Sequence, residues 1–549
     1  MRLNSRISSC TRAVRAFGLA GALFVSGLSV SAFGQEPAKP IQSAPPPKRQ
    51  ANTTPYTSTL RLTADEAVKL ALENNLSIQT ERLNPQLQAL AVSRSLSAFT
   101  PEVFGSTSKS STVAPPRDFL SQGVAITSTT GLTGAAGVRQ ILPFFGTQYS
   151  LGLSGLRTTS DAPRTPFSPQ LGSDLDFNFT QPLLRGLRID SFRQGVLQNK
   201  KQLEIADVQL AQRITVTSRG VRNAYLNLIL AISAADVAQG SLDLARQSLR
   251  NNQRRVEVGT MAPIDIVEAE AEVARQEEAV IVRLGQIQAM EDNLRTLILN
   301  PSQPDFWTTK LEPAEQPVLT EQPVDLQGAI RNALENRTDL VQLRKQIEST
   351  DLDIRFNQDQ KLPAVNLSAS YGLTGVAGTQ FIYGPDPGDG TPPSIVRTSQ
   401  RSFTDALSDV FRNDFRSWSF RVDVSYPIGS SQADVALAQN KLSKQQAQVG
   451  QRQLEIAVTA QVRDAVRDIS TTLERVQATR KARDLMEKRL EAENKRLAVG
   501  LSDTFKLFQA QRDLDNAKQS ELQSIIDYNR ALIDLEAVQI VPLGGGGGF

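Results

Sequence analysis

From Thr63 onward, apolar positions recur every three or four residues, which predicts a helix over 64–98. Thr63 and Glu66 have the spacing of a capping box, in which hydroxyl and carboxylate satisfy the first free backbone donors. Within this stretch "EAVKLALENN" returns later as "GAIRNALENR", with ALEN at 71–74 and again at 333–336. At the same offset of 262, Ala67 matches Ala329, Leu72 matches Leu334 and Pro101 matches Pro363. The copy predicts a second helix over 325–360, N-capped by Asp325 without the other half of a box.

After Pro101 and Pro363 the period changes from helical to alternating. In "AVNLSASY" (364–371), Val365, Leu367, Ala369 and Tyr371 share one face, and Asn366, Ser368 and Ser370 the other. That alternation predicts a strand. Two further alternating runs close on proline: "DLDFNFTQP" with Leu175, Phe177 and Phe179 before Pro182, and "FRVDVSYP" with Phe420, Val422, Val424 and Tyr426 before Pro427. Proline suits these junctions because it cannot continue a helix interior and biases its predecessor to extended geometry. Each half therefore reads helix, proline, strand, loop, strand, proline, helix. The run "TQYSLGLSG" (147–155), within a region 124–156, could add a hairpin to the first half.

Residues 183–262 and 428–541 contain no proline, which permits long helices over 193–257 and 432–498, followed by helices 264–299 and 503–537. A second repeat lies inside them at an offset of 241. Val221, Tyr225, Leu228, Ile232 and Ala235 correspond to Val462, Val466, Ile469, Leu473 and Val476, a 4-3-4-3 spacing that reads as a coiled-coil seam. Both long helices break alike, at "RRVEVGTMAP" and "NKRLAVGLSD", aligned on Gly259 and Gly500. Glycine suits the left-handed residue that ends a helix, and the preceding basic residues complement its negative end. Pro263 and Ser502 suit the start of the next helix. These are predicted hairpin tips: Val258, Gly259 and Thr260 in one, Val499, Gly500, Leu501 and Ser502 in the other.

Composition narrows the chemistry. Arg2, Arg6, Arg12 and Arg15 precede an apolar run that ends in small residues, the pattern of a signal peptide over 1–34. Removing those four arginines takes the net charge from +3 to −1, so the basic balance says nothing of nucleic acid. Cys10, the one cysteine, precedes the apolar run and cannot be a lipoprotein cysteine. With no histidine in the chain and no cysteine in its mature part, the commonest general base, zinc ligand and thiol nucleophile are missing. The acidic residues lie among lysines and arginines at helical spacing, as on a solvated face. The expectation is a protein that is not an enzyme and needs no cofactor. Residues 35–60 read as a proline-rich flexible lead and 542–549 as a glycine-rich tail.

The long helices would span about 100 Å each. That is a rod, with strands at one end. Two strands per half make too few to close alone, and an open edge with one apolar face aggregates, so several copies must share a barrel. Taken in order, the duplicated ALEN helix, "LP" before a strand, "QPLL" after one, and the "VG" tips followed by "DIVEAEAEV" resemble the TolC-type outer-membrane efflux family over about residues 60–540. The resemblance implies a mostly α fold built from two repeats, 61–322 and 323–541, with an α-barrel tunnel and a shared trimeric 12-stranded transmembrane β-barrel. It implies a passive duct across outer membrane and periplasm, working as a homotrimer with a periplasmic adaptor and an inner-membrane pump or ABC transporter. Its contacts would be outer-membrane lipid, not nucleic acid. A periplasmic coiled-coil adaptor or scaffold is the rival reading. The regions 105–173 and 373–417 read as long surface loops that depart from the family.

A further departure concerns the gate. Some family members narrow the tunnel with carboxylates six and nine residues after the second tip glycine. That count from Gly500 reaches Lys506 and Gln509, and from Gly259 it reaches Asp265 and Glu268. The resemblance thus implies a constriction of mixed charge, with Asp503 or Asp265 as the partner of Lys506.

Overall fold

The computed structural model describes residues 58–542, apart from 116–125, 163–164, 317–318, 320, 322, 386–387 and 389–392. All described residues belong to the compact unit Pro55–Phe549. The expected signal peptide, most of the lead and nearly all of the glycine-rich tail lie outside the described residues.

The chain opens with β1 (Ser58–Leu62), then α1 (Ala64–Asn74) and α2 (Leu76–Leu96), with a short 3-10 turn at Ser97–Phe99. The capping box at Thr63 and Glu66 is present, each backbone N–H bonded to the other residue's side chain. The single helix expected over 64–98 is two. Asn75 interrupts it with an extended backbone (φ −65°, ψ 119°), and its carboxamide oxygen accepts from the N–H groups of Ser77 and Ile78. The same correction applies to 325–360, which is α5 (Leu326–Asn336) and α6 (Thr338–Gln360), broken at extended Arg337. ALEN therefore ends a short helix both times.

Four strands follow α2: β2 (Glu102–Ala114), β3 (Thr127–Ile141), β4 (Gln148–Ser160) and β5 (Phe167–Pro182). Helices α3 (Ser191–Glu257) and α4 (Ile264–Ile298) form a hairpin of 67 and 35 residues. A strand β6 (Thr309–Pro313) then pairs in parallel with β1. Residues 58–60, read as flexible lead, are thus the start of a strand. After α6 come β7 (Ala364–Tyr383), β8 (Ile395–Arg401), α7 (Phe403–Arg412) and β9 (Arg416–Ser425). The last hairpin is α8 (Gln432–Ala498) and α9 (Thr504–Val538), again 67 and 35 residues. A 67-residue helix is about 100 Å long, and each is flanked by shorter helices stacked along it.

The main sheet runs β2-β3-β4-β5-β7, after which β9 pairs with the first half of β7 and β8 with its last residues. Six strands therefore lie side by side near the helices: the four expected, and a further pair in the region 124–156 that could add a hairpin. Most of 105–173 is strand, and 373–417 holds the end of β7, β8 and α7. Near the helices, alternation sorts this sheet. Val103, Val138, Leu151, Phe177, Tyr371 and Trp418 form one row of direct neighbours across all six strands. The adjacent row on the opposite face is Glu102, Arg139, Ser150, Asn178, Ser370 and Ser419. One face is apolar and the other polar. Amphipathic α7 lies on the apolar face toward the outer strand ends. There a Cβ on Gly375 would strike the Ala406 carbonyl, and one on Gly155 would meet the Phe403 ring.

The four prolines stand where helix and sheet meet. Pro101 and Pro363 immediately precede β2 and β7, Pro182 ends β5, and Pro427 follows β9. Below them the seam is the core: Val221, Tyr225, Leu228 and Ala235 of α3 and Val462, Ile469 and Val476 of α8 are buried. Ala67 and Ala71 pack into the first cluster and Ala329 and Ala333 into the second, so the duplicated motif buries the same alanines twice.

Candidate functional site

The free end of each helical hairpin is built on one glycine. Gly259 (φ 78°) and Gly500 (φ 76°) adopt left-handed backbone, disfavoured for residues bearing a Cβ. The Gly259 N–H donates to the Val256 carbonyl at 2.9 Å and the Thr260 N–H to Arg255 at 2.8 Å. The copy repeats this, Gly500 to Leu497 at 3.2 Å and Leu501 to Arg496 at 2.9 Å. These crossed bonds satisfy carbonyls that a helix end otherwise leaves free. Val258, Val499 and Leu501 are thereby held outward and are largely exposed. The next helices start differently from each other. Pro263 precedes α4 as expected, but α9 is capped by Asp503, whose carboxylate accepts from the Lys506 N–H at 2.8 Å. Ser502 instead donates its hydroxyl to Glu493.

The residues counted from the tip glycines divide into two groups. Lys506 and Gln509 are exposed, and the Lys506 ammonium lies 3.2 Å from the Asp503 carboxylate. The hydrogen bonds to Lys506 hold the Asp503 carboxyl below its usual range. Asp265 is not the partner of Lys506; its carboxylate accepts from the Thr504 hydroxyl at 3.1 Å. Glu268 is exposed on α4. The mixed-charge pair is Lys506–Asp503, within one helix turn.

Periodicity missed the ties between the two hairpins. Glu272 of α4, buried at 5% exposure, accepts from Arg512 of α9 at 3.0 Å and from Arg275 at 2.7 Å. Asp515 of α9 is half-buried against Ser241 of α3, and loss of hydration pushes its carboxyl up from the ordinary value. Farther along, Arg283 donates to Gln519 at 3.1 Å, and Arg222 pairs with Glu536 at 2.7 Å. Acidic and basic residues at helical spacing read as solvated in the sequence; only the packing of α4 and α3 against α9 shows which of them join two coils. Among the described residues, no group of three or more metal-ligating side chains converges.

The hairpin pair with glycine tips, joined to a sheet with one apolar face, is matched by known proteins. The family model described as "Outer membrane efflux protein" covers residues 140–298 and 329–538. The chain belongs to this family. Among curated proteins it is similar to the outer membrane protein TolC of Escherichia coli K12, 21% identical over 69% of this chain and 77% of that one. Its fold is that of the Campylobacter jejuni CmeC outer membrane channel (TM-score 0.60, 13% identity, 87% of this chain and 85% of the other). It is also that of the open-state Neisseria gonorrhoeae MtrE outer membrane channel (TM-score 0.57, 15% identity, 87% and 88%). As an outer-membrane efflux protein, the chain places its strands in the outer membrane and its helical tunnel in the periplasm. The apolar row from Val103 to Trp418 is the surface suited to lipid, and the row from Glu102 to Ser419 the one suited to water. The adaptor or scaffold reading does not survive the family match.

Proposed function

We propose that the chain works as a homotrimer, a passive duct that a periplasmic adaptor joins to an inner-membrane pump or ABC transporter. The supporting observation is the matched pair of hairpins, each with helices of 67 and 35 residues, ending in tips whose glycine and following residue bond alike. The halves 61–322 and 323–541 are then copies of one unit, so a trimer presents six quasi-equivalent tips. Val258, Val499 and Leu501, with Gly259, Thr260, Gly500 and Ser502 beside them, are the surface that receives the adaptor's helical hairpins. Exposed aliphatic side chains beside a helix end suit an apolar helical partner better than solvent. Lys506, Gln509 and Asp503 border the tunnel's inner end, with Asp265 and Glu268 on the neighbouring coil. The ties from Arg512 to Glu272 and from Thr504 to Asp265 hold the two coils together at that end.

The docking surface is tested by Leu501→Asp. The exposed side chain makes no core contact to lose, so the outer-membrane trimer should persist while export, followed by drug or secreted-protein release, is abolished. Export at the wild-type level would place adaptor docking elsewhere.

A further inference from the structure

Duplication of one strand pair per half accounts for four strands, yet six lie abreast. The additional pair is β3 and β4, which separate β2 from β5 completely: β2 pairs with β3 over 13 residues and β4 with β5 over 11. We infer that the assembled outer-membrane barrel has eighteen strands, six from each of three copies of this chain, with the β3–β4 hairpin forming part of its wall. This rests on the trimeric channel reading above.

Three observations carry it. The first is that the hairpin obeys the alternation of the wall. Val138 and Ala136 of β3 and Leu151 and Leu153 of β4 fall on the same face as Phe177 and Leu175 of β5. Arg139, Thr133, Ser150 and Ser154 fall on the polar face with Asn178 and Asp174. A hairpin folded into the lumen or standing above the membrane would have no reason to keep an apolar face in register with its neighbours.

The second is packing specific to the insertion. Phe104 of β2 lies on the polar face across two glycines, Gly137 of β3 and Gly152 of β4. A Cβ on Gly137 would sit 2.7 Å from the Phe104 ring and 2.4 Å from the Leu151 carbonyl. Arg139 stacks 5.9 Å from the centre of the same ring and pairs with Glu102 at 2.8 Å. An aromatic ring covering strand glycines fixes register, so β2, β3 and β4 are fastened as neighbours near Pro101.

The third concerns the sheet's two margins. β2 leaves Pro101 and β9 returns to Pro427, so the outer margins run antiparallel, as every neighbouring pair within the main sheet does. Every residue of β9 is exposed, and Val103, Phe420, Val422 and Val424 are among the most exposed apolar residues of the chain. In lipid no water is present to satisfy an unpaired backbone group, so these margins must be closed by pairing. The occupant that continues both faces is β2 of the next copy against β9 of this one.

Barrel diameter grows roughly linearly with strand number, so the outer ring would be about half as wide again as a 12-stranded one. The hairpin adds Thr129, Thr133, Ser150 and Ser154 to the lumen, a hydroxyl-rich stretch. The outer mouth is then a wide vestibule, and discrimination falls to the tips.

The test is electron cryomicroscopy of the full-length oligomer in nanodiscs, at a resolution that separates strands about 4.8 Å apart. Eighteen wall strands are expected. Twelve, with residues 127–160 outside the wall, would overturn the inference and leave the trimeric channel intact; absence of a trimer would overturn both. A second readout uses Ser108→Cys with Thr133→Cys in a Cys10→Ser background. These residues are direct ladder partners on the polar face. A disulfide within the chain is expected in isolated outer membranes, and failure to form it under oxidant would count against the inserted hairpin.

Discussion

Asp434 shows how one side chain fastens α8 to the end of α6. It is the third residue of α8, completes a capping box with Ser431, and accepts from Lys361 at the end of α6 at 2.8 Å. The hydrogen bonds from Lys361 and Ser431 depress its carboxyl to about 2. A depressed carboxyl stabilises the fold above its unfolded value near 3.8, and that contribution disappears as pH falls through about 2. Asp434→Asn should therefore lower the thermal midpoint of the purified oligomer at neutral pH. The deficit should shrink as pH drops from 3.8 through about 2, followed by circular dichroism. A deficit independent of pH would mean that the carboxylate's charge contributes nothing. The box at Thr63, the tip glycines and the junction prolines were legible because backbone geometry restricts which residues can stand there. Arg512 and Glu272 were not, because their pairing depends on how two coils meet. With Arg512→Ala, Glu272 keeps Arg275 but loses its tie to α9, and the tip should loosen. Faster hydrogen exchange at 500–515 with an unchanged far-ultraviolet spectrum is expected; unchanged exchange would show that the tie does not restrain the coils.

The helices were read to within two residues at 193–257, 264–299, 432–498 and 503–537, because a seam sustained over many turns leaves little freedom in their bounds. The short helices were over-extended. Asn75 and Arg337 interrupt helical spacing without glycine or proline, and only their extended backbones reveal the breaks. β3 lies in the region 124–156 that could add a strand pair, but its own alternation is faint for a different reason. "GLTGAAGV" (131–138) is glycine- and alanine-rich, so its alternation has almost no apolar contrast. α7 was hidden in what looked like loop. Against that, β9 was plain from Phe420, Val422 and Val424, and its ten residues match the 9–11 of a tilted membrane strand. Val422→Arg should cost about 2–4 kcal/mol at mid-depth and deplete the outer-membrane trimer on semi-native gels. Normal trimer levels would mean that this face does not meet lipid.

One fold principle organises the whole chain: a unit that cannot close by itself is written twice and then assembled. Each half supplies a 67- and a 35-residue helix, yet the sheet contributions differ, with β2 to β5 from the first and β7 to β9 from the second. The helical tunnel thus keeps its pseudo-repeat while the membrane part departs from it. On the proposed function, the assembled molecule is a conducting duct, and the Lys506–Asp503 pair supplies the charge at its narrowest point. Single-channel recording from the purified oligomer in planar bilayers is the decisive measurement. Discrete, long-lived openings with weak cation preference are expected, and Lys506→Asp should raise that preference and introduce a block by divalent cations. Absence of any conductance from a folded outer-membrane oligomer, or a selectivity that Lys506→Asp leaves unmoved, would contradict the proposed function.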